Sequence, residues 1–230
     1  MLPLRDNIPS SRFPAVTVGI IVVNVLFFLQ ELRLGPHLEE MLVSYAIIPA
    51  RYTIPDVARD FTLSQQIFAF FSSMFLHGGW LHLLGNMWTL WIFGDNVEDR
   101  IGRANYIFLY MACGVAAGLM HVFTNAGSMV PTIGASGAIA GVMGAYFRFY
   151  PGARVETLIP PFFVVPLPAA LFLGWWFLLQ FFNGALSLGT RSQMSGIAWW
   201  AHVGGFVFGF AICLLAKKEK PQTRPEFIDI

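Results

Sequence analysis

Residues 104–147 read ANYIFLYMACGVAAGLMHVFTNAGSMVPTIGASGAIAGVMGAYF, and these 44 positions contain no Asp, Glu, Lys or Arg. A helix needs about 20 apolar residues to cross a hydrocarbon core about 30 Å thick. The run is therefore long enough for two membrane helices. Residues 124–131, at its centre, have the Asn, Gly, Ser and Pro content of a turn. The stretch thus predicts a helical hairpin that crosses a membrane twice.

The composition of the whole chain agrees with a membrane protein. Of its 230 residues 56% are hydrophobic and 12% are charged, whereas a soluble domain has about 25% charged residues. So few charges exclude an ordinary soluble enzyme, a disordered linker and a disulfide-rich secreted module. A net charge of +1 without a basic cluster predicts no nucleic-acid partner. Cys113 and Cys213 lie in separate apolar runs and are expected to be free thiols.

Further charge-free runs predict the remaining helices; they lie at residues 13–30, 61–94, 157–190 and 192–216. The second run is broken by Gly78 and Gly79, so its span should begin at Trp80 after an amphipathic or re-entrant piece. The third run has four prolines near its start, and proline suits the first turn of a helix. Its helix should therefore begin near Pro168, with residues 157–165 as interfacial chain. The fold predicted is an all-α membrane protein of six transmembrane helices.

Six spans place both chain termini on one side of the membrane. That side carries ten of the fourteen Lys and Arg residues, and an excess of positive charge marks the cytoplasmic face. We therefore predict cytoplasmic segments at residues 1–12 and 217–230 around one domain at residues 13–216. The expected location is a bacterial inner membrane, with the site described below facing the outer, periplasmic or extracellular side.

Four polar residues stand inside predicted spans, where such groups are costly and are functional candidates by default. His82 and Asn86 are four residues apart on the second span and share a face. Ser136 opens the fourth span within a Gly-Ala-Ser-Gly motif, and His202 lies early in the sixth. All four residues lie within the first two turns of their spans. Because these three spans run in the same direction, the four residues lie at a similar depth in the membrane.

This set of side chains suits acyl transfer. A serine hydroxyl becomes an effective nucleophile when a neighbouring base takes its proton, and His202 is the candidate base for Ser136. His82 and Asn86 could donate hydrogen bonds to the oxyanion of a tetrahedral intermediate. We find no carboxylate at this depth, so the prediction is a Ser–His dyad without a metal or cofactor.

Each feature also has a structural explanation. Small residues around Ser136 can serve helix packing, and intramembrane His and Asn side chains can bond neighbouring helices. For His77, which lies beside the Gly-Gly break, support of that loop is the favoured interpretation. A transporter or metal site using these histidines is a further alternative, although the chain contains no H-E-x-x-H motif.

Three motifs together resemble the rhomboid family of intramembrane serine proteases. They are His82-Leu-Leu-Gly-Asn86, Gly134-Ala-Ser136-Gly137, and Ala201-His202 followed by Gly205 and Gly209. The resemblance implies that Ser136 is the nucleophile, His202 the general base, and His82 and Asn86 the oxyanion site. It also implies cleavage of transmembrane proteins in their transmembrane segments or at the juxtamembrane ends, often after a small residue. A catalytically silent relative that binds membrane proteins is the alternative, and the oligomeric state is left open.

Two positions depart from the family pattern. Many members carry an aromatic residue four positions after the serine, where it packs on the histidine, but here that residue is Ala140. We therefore expect His202 either to be held less tightly or to be held by another ring, such as Phe206. Many members also carry a Trp-Arg pair in the first loop, and residues 33–78 contain none.

Overall fold

The computed structural model describes residues 1–190 and 197–216, so the tail predicted at residues 217–230 lies outside the described residues. This part of the chain is mostly helical. Its α-helices are α1 (Ala15–Leu34), α2 (Leu38–Tyr45), α3 (Ala50–Thr53), α4 (Pro55–Ala58), α5 (Leu63–Ser72), α6 (Trp80–Ile101), α7 (Arg103–Thr124), α8 (Ser136–Phe149), α9 (Ala169–Thr190) and α10 (Trp199–Ile212). Short 3₁₀ turns at Gly35–His37, Ser73–Phe75 and Cys213–Leu215 extend α1, α5 and α10. The helix starts predicted at Trp80 and near Pro168 are confirmed.

Part of this helical structure is long and apolar enough to cross a membrane. Among the described residues, three segments qualify by length and composition: Ala15–Tyr45, Arg103–Thr124 and Ala169–Leu188. A fourth candidate is the pair Leu63–Phe75 and Trp80–Ile101, which is bent by 82°. Helices α8 and α10 have 14 residues each, about 21 Å of helix. The protein is thus a membrane protein with three to four candidate spans rather than six established ones.

The prediction of an all-α fold is wrong, because three strands form an antiparallel sheet. The strands are β1 (Leu2–Asp6), β2 (Arg154–Ile159) and β3 (Phe163–Pro168), in the order β1-β2-β3. Residues 1–12 and 157–165, which were predicted as a terminal segment and interfacial chain, contribute to it. Prolines exclude helix from the β2–β3 segment, while its Val, Ile, Thr and Phe residues favour strands.

The start of α1 is held by a carboxylate from α6. The first N–H groups of a helix have no partner within it, and no side chain from its own N-cap, Pro14, binds them. Glu98 accepts hydrogen bonds from the N–H groups of Val16 at 3.0 Å and Thr17 at 2.8 Å, and from the Thr17 hydroxyl at 2.9 Å. Such bonds to a charged acceptor are stronger than neutral ones. They join α1 to α6 near the ends of both helices.

Glycines bring α8 and α10 into direct backbone contact. A methyl group on Gly205 would overlap the carbonyl oxygen of Gly137, and one on Gly209 would overlap that of Gly141. Farther along α8, a methyl group on Gly144 would meet the carbonyl oxygen of Phe206. Small residues let two membrane helices approach this closely. The contact places the first turns of α8 and α10 side by side.

We predict that Gly205→Ala destabilises the protein. The added methyl group meets backbone of α8, which has little room to move, and overpacking of this kind costs about 1–3 kcal/mol or more. The melting temperature in detergent, followed by intrinsic fluorescence, should fall by about 5 °C or more.

Gly19→Ala is the matched control, because a methyl group at Gly19 in α1 meets nothing within 4 Å. Alanine also favours helix over glycine. Equal melting temperatures for the Gly205→Ala variant and the wild type would contradict the close contact.

Candidate active site

Ser136 and His202 are brought into hydrogen-bonding contact by the α8–α10 packing. Ser136 is the first residue of α8, and His202 lies in the first turn of α10. The Ser136 Oγ and the His202 Nε2 are 2.8 Å apart. This distance suits transfer of the hydroxyl proton to the imidazole.

Gln180 of α9 binds the other nitrogen of the same imidazole. Its Oε1 lies 2.8 Å from the His202 Nδ1, and its Nε2 donates to the Trp176 carbonyl oxygen at 3.4 Å. An amide oxygen only accepts hydrogen bonds, so the Nδ1 carries the proton in this pair. In the neutral ring, the Nε2 is then free to accept the proton of Ser136. The sequence analysis missed Gln180, although a glutamine inside an apolar span is itself a signal of a polar role.

The ring that packs against His202 is Trp176, not the expected Phe206. The centroids of the Trp176 and His202 rings are 5.9 Å apart, with the planes inclined by 35°. Phe206 lies behind Trp176, at 6.1 Å between ring centroids. With Ala140 at the position where many family members have an aromatic residue, α9 supplies the aromatic support of the imidazole instead.

His82 and Asn86 lie against the loop that leads to Ser136. Gly134, in this loop, has a φ of +125°, and a methyl group there would lie 2.7 Å from the His82 Cε1 and Nε2 and 3.7 Å from the Asn86 Nδ2. The His82 Nδ1 accepts the N–H of Gly78 at 3.4 Å. In a neutral ring the Nε2 then carries the proton and directs it toward the serine loop.

Asn86 is held by His77, and His77 by Glu31. The Asn86 Nδ2 and the His77 Nε2 are 3.0 Å apart. The backbone N–H of His77 lies 3.2 Å from each carboxylate oxygen of Glu31, a buried residue of α1. These contacts agree with the structural interpretation of His77. Glu31 was not predicted; its signal was a single carboxylate directly after an apolar run.

A small cavity of about 40 Å³ adjoins Ser136. Its lining combines small side chains with polar groups and includes Ser73, Gly134, Gly137, Thr132, Ala198 and Ala201. This volume suits one water molecule or a group of about the size of a methyl. A larger cavity of about 300 Å³ lies at the far end of α6, among Arg12, Glu98 and Arg103, and has no part in the site.

A metal-binding function was the alternative for these histidines, and residues 1–190 and 197–216 offer no set of ligands for it. No three His, Cys, Asp or Glu side chains within these ranges are grouped so that they could bind a metal ion. The histidines of the site instead face serine, asparagine and glutamine side chains and backbone groups.

Comparison with known proteins identifies relatives in several eukaryotes. Rhomboid protein 1, mitochondrial, of Saccharomyces cerevisiae is 28% identical over 155 residues, which are 66% of this chain and 42% of the relative. The presenilin-associated rhomboid-like protein, mitochondrial, of Homo sapiens is 26% identical over 83% of this chain and 45% of the relative. RHOMBOID-like protein 5 of Arabidopsis thaliana is 27% identical over 87% of this chain and 60% of the relative. The chain thus spans less than two thirds of the length of these relatives.

These relatives correct the expected location. The yeast and human proteins are named as mitochondrial, which contradicts the expectation of a bacterial inner membrane with the site facing its outer side. The charge asymmetry predicts on which side of a membrane the loops lie, but it does not specify which membrane contains the protein.

The sequence pattern that defines the Rhomboid domain matches residues 64–219. This match runs from α5 to the end of the described chain, and it contains Ser136, His202, His82 and Asn86. It covers more than half of the 230 residues. The chain is therefore a membrane protein of the rhomboid family.

Proposed function

We propose that this protein is an intramembrane serine protease. It would hydrolyse peptide bonds in or next to transmembrane segments of membrane proteins, through a Ser136–His202 dyad and an acyl-enzyme. The observation that carries the proposal is the hydrogen bond of 2.8 Å between the Ser136 Oγ and the His202 Nε2. The orientation of the same ring by Gln180 supports it further.

In the first half of the reaction the Ser136 Oγ attacks the scissile carbonyl carbon while the His202 Nε2 takes the hydroxyl proton. The backbone N–H of Ser136 is free of intrahelical bonds because this residue begins α8. Together with the His82 and Asn86 side chains it can donate to the oxyanion. Collapse of the intermediate breaks the C–N bond, and the imidazolium returns its proton to the leaving amine.

In the second half, water replaces the amine. His202 takes a proton from the water as its oxygen attacks the acyl carbon, and the new intermediate expels the Ser136 oxygen. The proton then returns to Ser136, so the enzyme is regenerated with no net change of protonation. The cavity of about 40 Å³ beside Ser136 has room for such a water or for a small substrate side chain.

We also propose how many helices cross the membrane and how they are oriented in it. The six helices α1, α6, α7, α8, α9 and α10 would all lie in the membrane, with the start of α1 and the end of α10 on its more basic face. Support comes from the parallel first turns of α8 and α10, which place Ser136 and His202 at one depth. The substrate is a membrane protein, because the dyad lies within a bundle of apolar helices.

We predict that Ser136→Ala and His202→Ala each abolish cleavage of a reporter transmembrane protein in liposomes. Each removes one half of the proton-transfer pair, and loss of either group should lower the rate by at least about 1,000-fold. Cleavage is measured by the appearance of the reporter fragments.

Ser44→Ala and His37→Ala are the matched controls, since His37 is exposed, Ser44 is half-buried, and both residues lie outside the site. Both should cleave at the wild-type rate. Cleavage by the Ser136→Ala variant would refute the mechanism, and a folded wild type that binds the reporter without cutting it would favour the silent relative.

We predict that Gln180→Leu lowers kcat by about 10- to 100-fold with little change in KM. The variant removes the acceptor that selects the Nδ1–H tautomer of His202, and a wrong tautomer is costly in serine proteases. Gln180→Glu keeps an acceptor oxygen at this position and should restore much of the activity.

Asn183→Ala, one turn farther along α9, is the control, because this half-buried side chain donates to the Leu179 carbonyl oxygen of its own helix. It should leave kcat unchanged. Wild-type kcat in the Gln180→Leu variant would rule out a positioning role for Gln180.

We predict that Asn86→Ala and His82→Ala lower kcat by about 100-fold or more, because each removes a donor to the oxyanion. Both variants keep the nucleophile, so a fluorophosphonate probe should still label them while it fails to label Ser136→Ala. Unchanged kcat in both variants would exclude them from the oxyanion site.

A further inference from the structure

The β2–β3 hairpin ends in an exposed apolar tip. Phe162 is 88% exposed, Phe163 65% and Val164 51%. Residues 157–168 contain no charged side chain. A patch of this kind on a water-facing loop would be a liability, and it indicates contact with another apolar phase.

Strand β1 sets the depth of this tip because it runs alongside α6. The Trp88 Nε1 donates to the Pro3 carbonyl oxygen at 2.7 Å, and the Asn96 Nδ2 donates to the Asp6 Oδ2 at 3.0 Å. Trp88 and Asn96 are eight residues apart on α6, which is about 12 Å of helix. The three residues from Pro3 to Asp6 span about 10 Å of strand. The strand therefore follows the helix axis instead of crossing the end of the bundle.

Because β2 pairs with β1, the hairpin extends toward the middle of α6. Asp6 pairs with Val155, and Leu2 pairs with Leu158, so β2 rises along α6 beside β1. The tip extends beyond Leu158, farther toward the half of α6 that carries Asn86. The sheet thus stands beside the helices that the membrane surrounds.

Some backbone groups at the edges of this sheet are absent or already bound. Pro166 and Pro168 stand opposite Glu156 and Arg154. Because proline has no N–H to give to β2, these are non-hydrogen-bonded pairs, in which the backbone groups of β3 point outward. The outer edge of β3 therefore lacks donors at these two positions. On the other edge, the outward carbonyl of Pro3 is bound by the Trp88 indole.

The base of the hairpin has the opposite character. Arg5 and Glu156 form an ion pair across β1 and β2, with 2.6 Å between the Arg5 Nε and a carboxylate oxygen. Neighbouring Arg154 is exposed. The hairpin is therefore charged at its base and apolar at its tip, a distribution that suits a base at the membrane interface.

We propose that the β2–β3 hairpin is inserted into the lipid bilayer, with its base at the interface and its tip in contact with acyl chains beside α6 and α9. Its exposed apolar side chains continue the exposed apolar surface of α9, which includes Leu171 and Leu178. The missing donors along β3 reduce the cost of placing a sheet edge in hydrocarbon. The inference is independent of proteolytic activity.

Spin labelling of the full chain in liposomes tests this placement. A nitroxide is attached to Phe162→Cys, and its collision rates with oxygen, which partitions into hydrocarbon, and with a water-soluble nickel chelate are compared. Leu178→Cys on α9 is the lipid-facing reference. Gly152→Cys is the reference at the base, because this residue is exposed and a side chain there meets nothing within 4 Å. Cys113 and Cys213 are buried, and the unsubstituted protein reports background labelling.

The label at Phe162 should resemble the one at Leu178, with oxygen collisions favoured at least several-fold over those of the Gly152 label. A Phe162 label as accessible to the nickel chelate as the Gly152 label would overturn the proposal. Labels at Phe163→Cys and Val164→Cys, on opposite faces of β3, should give the same result. If the Phe162→Cys variant folds poorly, these two variants test the proposal in its place.

Discussion

The contact between α8 and α10 is the constraint on which the candidate site depends. Glycines on both helices remove the side chains that would otherwise separate them, so backbone meets backbone at Gly137 and Gly205 and again at Gly141 and Gly209. Close approach brings Ser136 and His202 within hydrogen-bonding distance. In a bundle with so little charge, helix packing and not charge pairing is what assembles the reacting groups.

Two chains of polar contacts converge on the serine loop from opposite sides. One passes from Glu31 of α1 through the backbone of His77 to the amide of Asn86. The other passes from Gln180 of α9 through the imidazole of His202 to Ser136. Asn86, Gln180, His202 and Ser136 thereby each have a side-chain hydrogen-bond partner, as an apolar interior requires. Through these two series of contacts, five different helices contribute to one small site.

The sequence predicts the groups that carry chemistry better than those that position them. Ser136 and His202 stand out because polar groups are rare in apolar spans, and the spacing of motifs places them at one depth. The partner of Gln180 and the packing of Trp176 could not be assigned, since apolar side chains surround most of α9 and its pattern does not specify which face meets α10. The sheet was missed because residues 2–6 pair with residues 154–159, far away in the chain. The span count also exceeded the three to four segments that length and composition support.

The carboxylate that holds the start of α1 has a consequence for the order of assembly. Val16 and Glu98 are separated by 82 positions in the chain, so α1 is synthesised well before α6. Until α6 arrives, the leading N–H groups of α1 depend on water or lipid headgroups for hydrogen bonds. Docking of α6 replaces those partners with Glu98. Helix α1 therefore reaches its final state only after α6 has followed it into the membrane.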